Sequence, residues 1–246
     1  MNLIIKQLSY ALITGSAKRI GRNIAIFLAK EGWDIIIHYN KSTNEAQNLH
    51  KIIFGLNKEC LLYQADFSKN ENLDPTIQKL PIGLIVNNAS IFNNDSLKNI
   101  TKDNLINNLN TNFITPTLIT KKILDHSTYE GQINIINILD SIIYKLPKNF
   151  SSYYFSKKSF ADYTRLSAKL YAPNARINGI SLGQILKNDN QSEKNFKKSF
   201  YNNPLGYSGT IDEICNTIDF ILKNRSITGQ IISLDGGSHL DNVNYP

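Results

Sequence analysis

Cysteine is scarce in this chain of 246 residues, which has only Cys60 and Cys215. Two distant cysteines exclude a disulfide scaffold and a zinc cluster, so the fold depends on its own core and suits a reducing compartment. No apolar run approaches the ~18 residues that would cross a bilayer. Lys6 interrupts the apolar start of the chain after three apolar residues, so we expect no secretory signal there. We therefore expect a cytoplasmic protein with no membrane partner and no metal.

Blocks of like charge are missing as well. Lysine and arginine total 27 against 20 acidic residues, which gives a formal net charge of +7. Such an excess suits nucleic acid, a membrane surface or a small polyanionic ligand. The basic residues are scattered along the chain, however, and no nucleic-acid-reading motif is present, so we expect no nucleic-acid partner. Hydrophobic residues make up 41%, enough for an ordinary globular core.

Short β-rich segments alternate with longer segments of helical periodicity. Strands separated by helices need crossover connections, which produce a parallel sheet covered on both faces. We predict an α/β fold over residues 1–246, a single doubly wound Rossmann domain with a seven-stranded parallel sheet and helices on both faces. The predicted strands are Tyr10–Thr14, Asp34–Tyr39, Cys60–Gln64, Leu84–Asn87, Gln132–Ile138, Arg176–Ile180 and Gln230–Leu234. The predicted helices are Arg19–Lys30, Asn44–Lys58, Lys102–Leu124, Ser151–Leu170 and Thr210–Leu222.

The polar segment 183–206 connects the sixth strand to the last helix. Ligands of open α/β sheets bind beyond the carboxyl ends of the strands. A long loop that leaves such an end is a candidate lid over the substrate. A surface insertion without such a role is the alternative.

The first strand leads into Thr14-Gly-Ser-Ala-Lys-Arg-Ile-Gly21. A glycine here permits a tight turn and a close backbone approach to a ligand, and the next helix directs its amides at an anion. The motif is weak by itself, because it has two of the usual three glycines, and an ordinary strand-to-helix turn is the alternative. The predicted cofactor-binding residues of this turn are Gly15, Lys18, Arg19, Ile20 and Gly21.

The end of the second strand favours a particular cofactor. An NAD site would place an acidic residue there to hold the ribose hydroxyls, but the chain has none between His38 and Ser42. Lys41, His38 and a serine hydroxyl, with Arg19, suit a 2′-phosphate instead. NADP(H) is therefore the predicted cofactor, a solvated loop being the alternative. The predicted binding residues are His38, Tyr39, Asn40, Lys41 and Ser42.

Tyr153 and Lys157 are four residues apart in a predicted helix and therefore lie on one face. A nearby ammonium lowers a phenol's pKa from about 10, which lets tyrosine act as a general acid or base. This spacing is common, and an ordinary surface pair is the alternative. Tyr154 and Lys158 form the same spacing one residue later.

The chain resembles short-chain dehydrogenases/reductases over essentially its whole length. The matching pieces are Thr14-Gly15 to Gly21, Ala65-Asp66, Asn87-Asn88-Ala89, Asn112, position 140, Tyr153 with Lys157, and Asp235-Gly236-Gly237. The thirteen residues from position 140 to position 153 match the family's serine-to-tyrosine spacing and favour Tyr153 and Lys157 over the next pair.

The resemblance implies a role for each matching residue. Tyr153 would transfer the proton, and Lys157 would bind the nicotinamide ribose and lower the pKa of Tyr153. Asn112 would hold a water of the proton relay. Asp66 would reach the adenine. Asn88 would reach the adenosine ribose region, together with the neighbouring Ala89. The resemblance also implies a homotetramer assembled through the helices Lys102–Leu124 and Ser151–Leu170 and the last strand.

Two departures from the common pattern bear on the substrate. Most members have serine at position 140, whereas this chain has aspartate. A carboxylate opposes the charge that develops on a carbonyl oxygen, and it suits a ring nitrogen that is protonated as hydride arrives next to it. The exit of the sixth strand has Leu182-Gly183 where Pro-Gly is usual, and Gly183 is predicted to contact substrate.

Together with Asp140, three segments make the chain similar to pteridine reductases: Ser16-Ala-Lys-Arg19, His38-Tyr-Asn-Lys-Ser42 and Asn87-Asn-Ala-Ser90-Ile-Phe92. This resemblance implies that Arg19 faces the pterin and a cofactor phosphate, that Phe92 stacks the pterin against the nicotinamide, and that Asp140 pairs with Tyr153. An aromatic face suits a flat heterocycle, although an ordinary core aromatic is the alternative for Phe92.

We therefore expect an NADPH-dependent, pteridine reductase-like enzyme that acts on a dihydropterin or dihydrofolate-type substrate. An NADPH-dependent carbonyl reductase of the same fold, for example on a 3-oxoacyl group, is the alternative, since Ser141 could restore serine chemistry. A non-catalytic NADP(H)-binding regulator is a third hypothesis, which the Tyr153/Lys157 pair disfavours.

Overall fold

The computed structural model describes residues 9–69, 73–187, 192, 196, 203–207 and 209–240. Most of the predicted lid, 183–206, lies outside these residues. The strands are β1 (Tyr10–Ile13), β2 (Asp34–Tyr39), β3 (Cys60–Gln64), β4 (Ile82–Asn87), β5 (Ile133–Asp140), β6 (Ala175–Leu182) and β7 (Ile231–Leu234). The helices are α1 (Arg19–Lys30), α2 (Thr43–Phe54), α3 (Pro75–Gln78), α4 (Lys102–Leu109), α5 (Thr115–His126), α6 (Ser151–Leu170) and α7 (Ile211–Lys223).

The seven strands form one sheet in the order β3-β2-β1-β4-β5-β6-β7, and every neighbouring pair is parallel. The predicted Rossmann-type α/β fold is confirmed. The strand order reverses direction between β1 and β4, and ligands of such sheets bind in the crevice that this reversal opens at the carboxyl ends. The residues that follow β1 and β4 are therefore placed at the centre of the binding edge.

Each face of the sheet is covered by its own core, because neighbouring side chains of a strand point to opposite faces. Ile13 and Ile37 pack with α1, α2 and α7 on one face. Leu12 and Ile36 pack with α3, α5 and the end of α6 on the other. Every residue of β1, β2 and β4 is buried, which explains their nearly continuous apolar sequences.

Strands β5 and β6 each extend two residues beyond their predicted carboxyl ends. Their parallel register continues until Asp140 lies opposite Leu182. The extension places Asp140 at the binding edge of the sheet and Gly183 immediately beyond it. A four-residue 3-10 turn, Ser141–Tyr144, follows β5 and was not predicted, and neither was the equally short α3.

The single helix predicted over Lys102–Leu124 is divided into α4 and α5 by a π-helical turn, Asn110–Ile114. Pro116 has no N–H group, so the usual bond to the carbonyl of Asn112 cannot form. Instead the N–H of Thr115 donates to the carbonyl of Asn110, five residues back. Such turns are frequent at functional sites, and this one holds Asn112 in a buried position.

No helix in the described part of the chain is long and apolar enough to cross a membrane. Nor do the residues that the structure covers contain a group of three or more His, Cys, Asp or Glu side chains that could hold a metal ion. Cys215 is buried and Cys60 half-buried, and both are free thiols. Burial raises the pKa of the Cys215 thiol to about 11, so it stays protonated and unreactive.

Candidate active site

The turn between β1 and α1 is built around Gly15. Its φ is +63°, and a Cβ atom there would lie 2.9 Å from the Cα of Ala89, so only glycine fits. The hydroxyl of Thr14 accepts the N–H groups of Asn88 and Ala89, each at 2.9 Å. The Asn88 amide donates to the carbonyls of Thr14 and Gly15 at 2.9 and 3.2 Å. Asn88 thus fixes the shape of the turn as well as lining the cavity beside it.

His38 supports this turn from beneath. Its Nδ1 accepts the N–H of Gly15 at 3.0 Å, its Nε2 lies 3.2 Å from the carbonyl of Ala65, and its ring stacks on Phe67. Burial lowers the pKa of His38 to about 4, so the ring is neutral. A neutral ring brings no positive charge to a phosphate, but the side chain lines the cavity, and its predicted part in cofactor binding stays a prediction.

A cavity of about 550 Å³ extends from this turn over the carboxyl ends of β1 to β4. It is lined by all the predicted cofactor-binding residues except Tyr39, Ser42 and the Tyr153/Lys157 pair. The Asp66 carboxyl lies at its rim, and the Ser68 hydroxyl, which donates to it at 2.7 Å, holds the pKa of that carboxyl below its usual range. The cavity therefore offers an ionised acceptor where β3 ends.

A shallower recess of about 340 Å³ adjoins the cavity where β2 ends. Its lining contains two lysines and no carboxylate, which suits a phosphate group. Lys18 also forms an ion pair of 2.7 Å with Glu45, in the first turn of α2. The lining residues are Gly15, Ala17, Lys18, Tyr39, Asn40, Lys41 and Ser42. The close backbone approach at Gly15 and this basic recess together fit a dinucleotide that carries an additional phosphate.

A second cavity of about 560 Å³ begins at Arg19 and crosses the ends of β5 and β6. Arg19 lines both cavities, and both of its terminal nitrogens donate to the carbonyl of Lys187 at 3.2 Å. Gly183 lies in the wall, where a Cβ atom would come within 2.9 Å of the Cα of Asp235. Tyr153 and Lys157 line this cavity, whereas Tyr154 and Lys158 line neither, so the structure distinguishes the two candidate pairs.

The Tyr153 hydroxyl donates to Oδ2 of Asp140 at 3.0 Å. The other carboxylate oxygen of Asp140 accepts the N–H of Ile142 at 2.8 Å, which fixes the orientation of the carboxyl group. Nζ of Lys157 donates to the carbonyl of Ile138 at 2.9 Å and lies 5.7 Å from the centre of the Tyr153 ring. Position 140, and not Ser141, therefore faces the phenol.

The electrostatics of this group differ from the expectation. Burial and the Asp140 carboxylate raise the pKa of Tyr153 well above its ordinary value, so the prediction that Lys157 lowers it is wrong for this arrangement. Burial also raises the pKa of Asp140 and lowers that of Lys157 to about 8. The Ser90 hydroxyl opposes the shift on the phenol. The arrangement keeps Tyr153 protonated, so the residue enters any reaction as a phenol and not as a phenolate.

Asn112 connects the loop after β4 to α6. Its Oδ1 accepts the N–H of Ile91 at 2.8 Å and the Ser90 hydroxyl at 3.1 Å. Its Nδ2 donates to the carbonyl of Ile91 and to Oγ of Ser156, both at 3.0 Å. Asn112 therefore positions the loop that lies against Tyr153, and its predicted contact with a relay water stays a prediction.

Phe92 is 49% exposed and lies at the mouth of the second cavity, so it is not a core aromatic. Its ring stacks on the ring of Phe150, with the ring centres 4.2 Å apart. It contacts the Tyr153 ring edge-on, with the ring centres 4.7 Å apart. The buried Asp95, three residues further on, accepts the N–H of Ser152 at 3.1 Å and caps α6. The aromatic group is thus fixed to the start of the helix that carries Tyr153.

Sequence reasoning did not assign several residues of the second cavity. Ser90 directly follows the Asn-Asn-Ala motif and could have been assigned from it, but Phe150, Lys145 and Ser238 have no local signal. These three come together with Tyr153 only through the packing of the turns after β5 and β7.

A family model described as enoyl-(acyl carrier protein) reductase matches residues 15–239 of the chain. The chain belongs to the short-chain dehydrogenase/reductase family. Its relatives include the mouse 3-oxoacyl-(acyl-carrier-protein) reductase, 29% identical over 93% of this chain and 97% of that protein. The Bacillus subtilis oxidoreductase YhdF is 30% identical over 92% of this chain and 82% of that protein.

Two solved structures of this short-chain dehydrogenase/reductase family are similar in fold and sequence. The alternative dihydrofolate reductase FolM of Brucella canis, in complex with NADP, has a TM-score of 0.88 and 30% identity, covering 97% of this chain and 96% of that chain. FolM of Brucella suis, also in complex with NADP, has a TM-score of 0.87 and 31% identity, covering 94% of this chain and 95% of that chain. As a member of the family, the chain is an NAD(P)-dependent oxidoreductase that acts on a small molecule.

Proposed function

We propose that this enzyme is an NADPH-dependent reductase of dihydropterin or dihydrofolate-type substrates, with Tyr153 as the proton donor. The observation that carries the proposal is the 3.0 Å hydrogen bond from the Tyr153 hydroxyl to Asp140, at a position where most family members have serine. The similarity to the two FolM structures supports the same substrate class.

The Asp140 carboxyl is matched to a particular kind of reaction. A carboxylate next to the reacting centre disfavours negative charge on a carbonyl oxygen but favours a ring nitrogen that becomes protonated. In the proposed reaction the carbon–nitrogen double bond of the heterocycle gains a hydride at carbon and a proton at nitrogen. A reduced nicotinamide bound in the first cavity would supply the hydride and would thereby be oxidised.

The chain's own residues supply the proton and position the ring. Tyr153 gives the proton to the ring nitrogen and recovers one from Asp140, whose pKa is raised by burial. Lys157, whose ammonium donates to the carbonyl of Ile138, would bind the nicotinamide ribose hydroxyls. Phe92 offers an exposed face for the flat heterocycle, and Arg19, which lines both cavities, lies where substrate and cofactor would meet.

The choice of NADPH over NADH rests on the recess at the end of β2. Lys41 and Ser42 line it with Lys18, and no acidic side chain is among its lining residues. A 2′-phosphate would receive charge-assisted hydrogen bonds there, whereas the carboxylate typical of NAD sites is missing. The FolM structures, which contain NADP, support the same cofactor.

An NADPH-dependent 3-oxoacyl reductase is the second candidate. It is favoured by the similarity to the mouse 3-oxoacyl-(acyl-carrier-protein) reductase and by Ser141, which lines the same cavity one residue from Asp140.

The two candidates are separated by following NADPH oxidation with dihydrobiopterin, dihydrofolate and an acetoacetyl thioester offered side by side. We expect turnover of the two pterins. Turnover of the thioester alone would replace the proposal with the second candidate.

We also propose that the enzyme assembles into the homotetramer implied by its family resemblance. Large apolar side chains stand exposed on the outer faces of α4 and α6, among them Ile106, Phe155, Leu166 and Leu170. Light scattering after size exclusion should give four times the 27.8 kDa of the chain, and a single-chain mass would reject the assembly.

A further inference from the structure

The second cavity continues past the proposed reaction centre to two residues that the proposed mechanism does not use. Nζ of Lys145 donates to Oγ of Ser238 at 2.5 Å, and both side chains line the cavity with Asn203. Within the described part of the chain, Lys145 forms no ion pair with any carboxylate. Among the described residues this ammonium acts on the Asp140 carboxyl through space, lowering its pKa, but makes direct contact with no carboxylate.

Hydrogen bonds and a ring contact fix the turns that carry Lys145 and Ser238. The carbonyl of Asp235 accepts the N–H of Ser238 at 3.1 Å, and its buried carboxylate accepts the N–H of Gly237 at 3.1 Å. The same carboxylate lies 2.8 Å from Nδ1 of His239, whose ring contacts the ring of Tyr144, one residue before Lys145. The turns after β5 and β7 are thus fixed against each other, and the ammonium and hydroxyl are held in place before any ligand binds.

The position of the pair indicates which part of a ligand it would meet. The first cavity lies over β1 to β4, and Tyr153 and Asp140 lie at the end of β5. Ser238 follows β7, the strand at the opposite edge of the sheet from β3. A substrate whose reducible ring lies at Tyr153 would therefore extend its other end, away from the cofactor, toward Lys145.

We propose that Lys145 and Ser238 bind an anionic group, a carboxylate or a phosphate, on the side chain of the reduced heterocycle. This inference rests on the proposed function and specifies which pterins the site prefers. An ammonium has three N–H donors, of which one is used on Ser238. Within the described residues the Ser238 hydroxyl donates no hydrogen bond, so both groups can donate to one anion.

The size of the effect follows from the exposure of the site. A hydrogen bond to a charged group typically changes affinity about 10- to 100-fold when one partner is removed. Lys145 is only half-buried, so water screens part of this interaction. We expect Lys145→Gln to raise KM for an anionic substrate about 5- to 30-fold, and any change in kcat that comes from its effect on Asp140 to be the same for charged and uncharged pterins.

The test uses dihydroneopterin and its monophosphate, which differ only in the phosphate, together with dihydrofolate, which carries carboxylates. KM and kcat are measured with NADPH for the wild type, Lys145→Gln and Lys145→Arg. Lys148→Gln is the matched control, because Lys148 is an exposed lysine of the same segment that lines neither cavity. Thermal melting of each variant checks that the fold is intact.

We expect Lys145→Gln to raise KM for the monophosphate, for dihydrofolate or for both, while KM for dihydroneopterin changes less than about twofold. Which of the two substrates is affected identifies the anion. Lys145→Arg should keep most of the preference for anionic over uncharged pterins. Lys148→Gln should keep all of that preference. Equal changes for charged and uncharged pterins, or no change, would overturn the inference, since a merely structural lysine would not distinguish them.

Failure of the proposed function is detected separately. If the wild type reduces none of the three pterins, the proposed function fails, and calorimetric titration of the NADP-loaded enzyme with the same ligands tests Lys145 by affinity. Tighter binding of the monophosphate or dihydrofolate than of dihydroneopterin, lost in Lys145→Gln, would support the anion site. Equal affinities for the wild type would reject it.

Discussion

The Tyr153 hydroxyl and the Asp140 carboxylate share a hydrogen bond of 3.0 Å at the wall of the second cavity. Burial raises the pKa of both groups, and the Asp140 carboxylate raises the pKa of the phenol further. Both groups therefore hold their protons to higher pH than a solvated tyrosine or aspartate, although the hydrogen bond from the phenol opposes the rise in the pKa of Asp140. An enzyme that reduces a carbon–nitrogen double bond needs such a store of protons next to its donor.

Tyr153→Phe removes the proposed donor. Loss of a positioned general acid typically costs about 10²- to 10⁴-fold, so kcat for dihydrobiopterin should fall by that amount while the melting temperature is kept. Tyr154→Phe is the matched control, because that neighbouring tyrosine lines neither cavity. Equal losses in both variants would contradict the assignment of Tyr153.

The pH dependence of pterin reduction should report Asp140. Its raised pKa means that the protonated carboxyl survives above the usual carboxyl range, and kcat should fall as pH rises through that value. Asp140→Asn cannot titrate, so its profile should lack this fall. A profile of the same shape in the wild type and Asp140→Asn would assign the titration to another group, such as Lys157.

Lys41→Ala should weaken NADPH binding about 10-fold and leave NADH binding unchanged, since only the former carries the 2′-phosphate that the recess suits. Dissociation constants from calorimetry check both. Lys51→Ala removes an exposed lysine of α2 outside both cavities and the recess, and serves as the control. If NADH binding weakened equally, Lys41 would not be the selecting residue.

Because His38 is buried as a neutral imidazole, we expect acid to destabilise the fold. The pKa of His38 is about 4 in the folded chain and about 6.5 in the unfolded chain. The unfolded chain therefore binds a proton at a higher pH than the folded chain. The free energy of unfolding is unaffected above pH 6.5 and decreases as the pH falls from 6.5 toward 4. The loss amounts to about 3 kcal/mol of the free energy of unfolding. Urea unfolding at pH 7 and pH 4.5 measures it.

His38→Gln is the comparison variant for this prediction. It should be less stable at pH 7, because the support of Gly15 is weakened, but should lose less on acidification than the wild type. An equal loss in both proteins would assign the acid sensitivity to other groups.

The features that were predictable from sequence are those with short-range causes. Gly15 follows a buried strand, Tyr153 and Lys157 are one helical turn apart, and the spacing to Asp140 identified the pair that the structure brings together. The alternation of strands and helices along the sequence was sufficient to predict the parallel sheet. Strand ends were less predictable, since the last two residues of β5 depend on their pairing with β6.

Features with long-range causes were not predictable. The orientation of His38 depends on its stacking against Phe67, and that burial is what removes its charge. Lys145 and Ser238 are 93 residues apart and meet only through the edge strand. The π turn at Asn112 had a local cause in Pro116, but the helical periodicity on either side of it concealed the interruption.

The central claim is that Asp140 selects ring-nitrogen protonation over carbonyl reduction. The most direct test compares kcat/KM for dihydrobiopterin and for an acetoacetyl thioester in the wild type and in Asp140→Ser. The account predicts that the pterin value falls by about 10²-fold or more, while the thioester value is kept or rises. Unchanged pterin reduction in Asp140→Ser would contradict it.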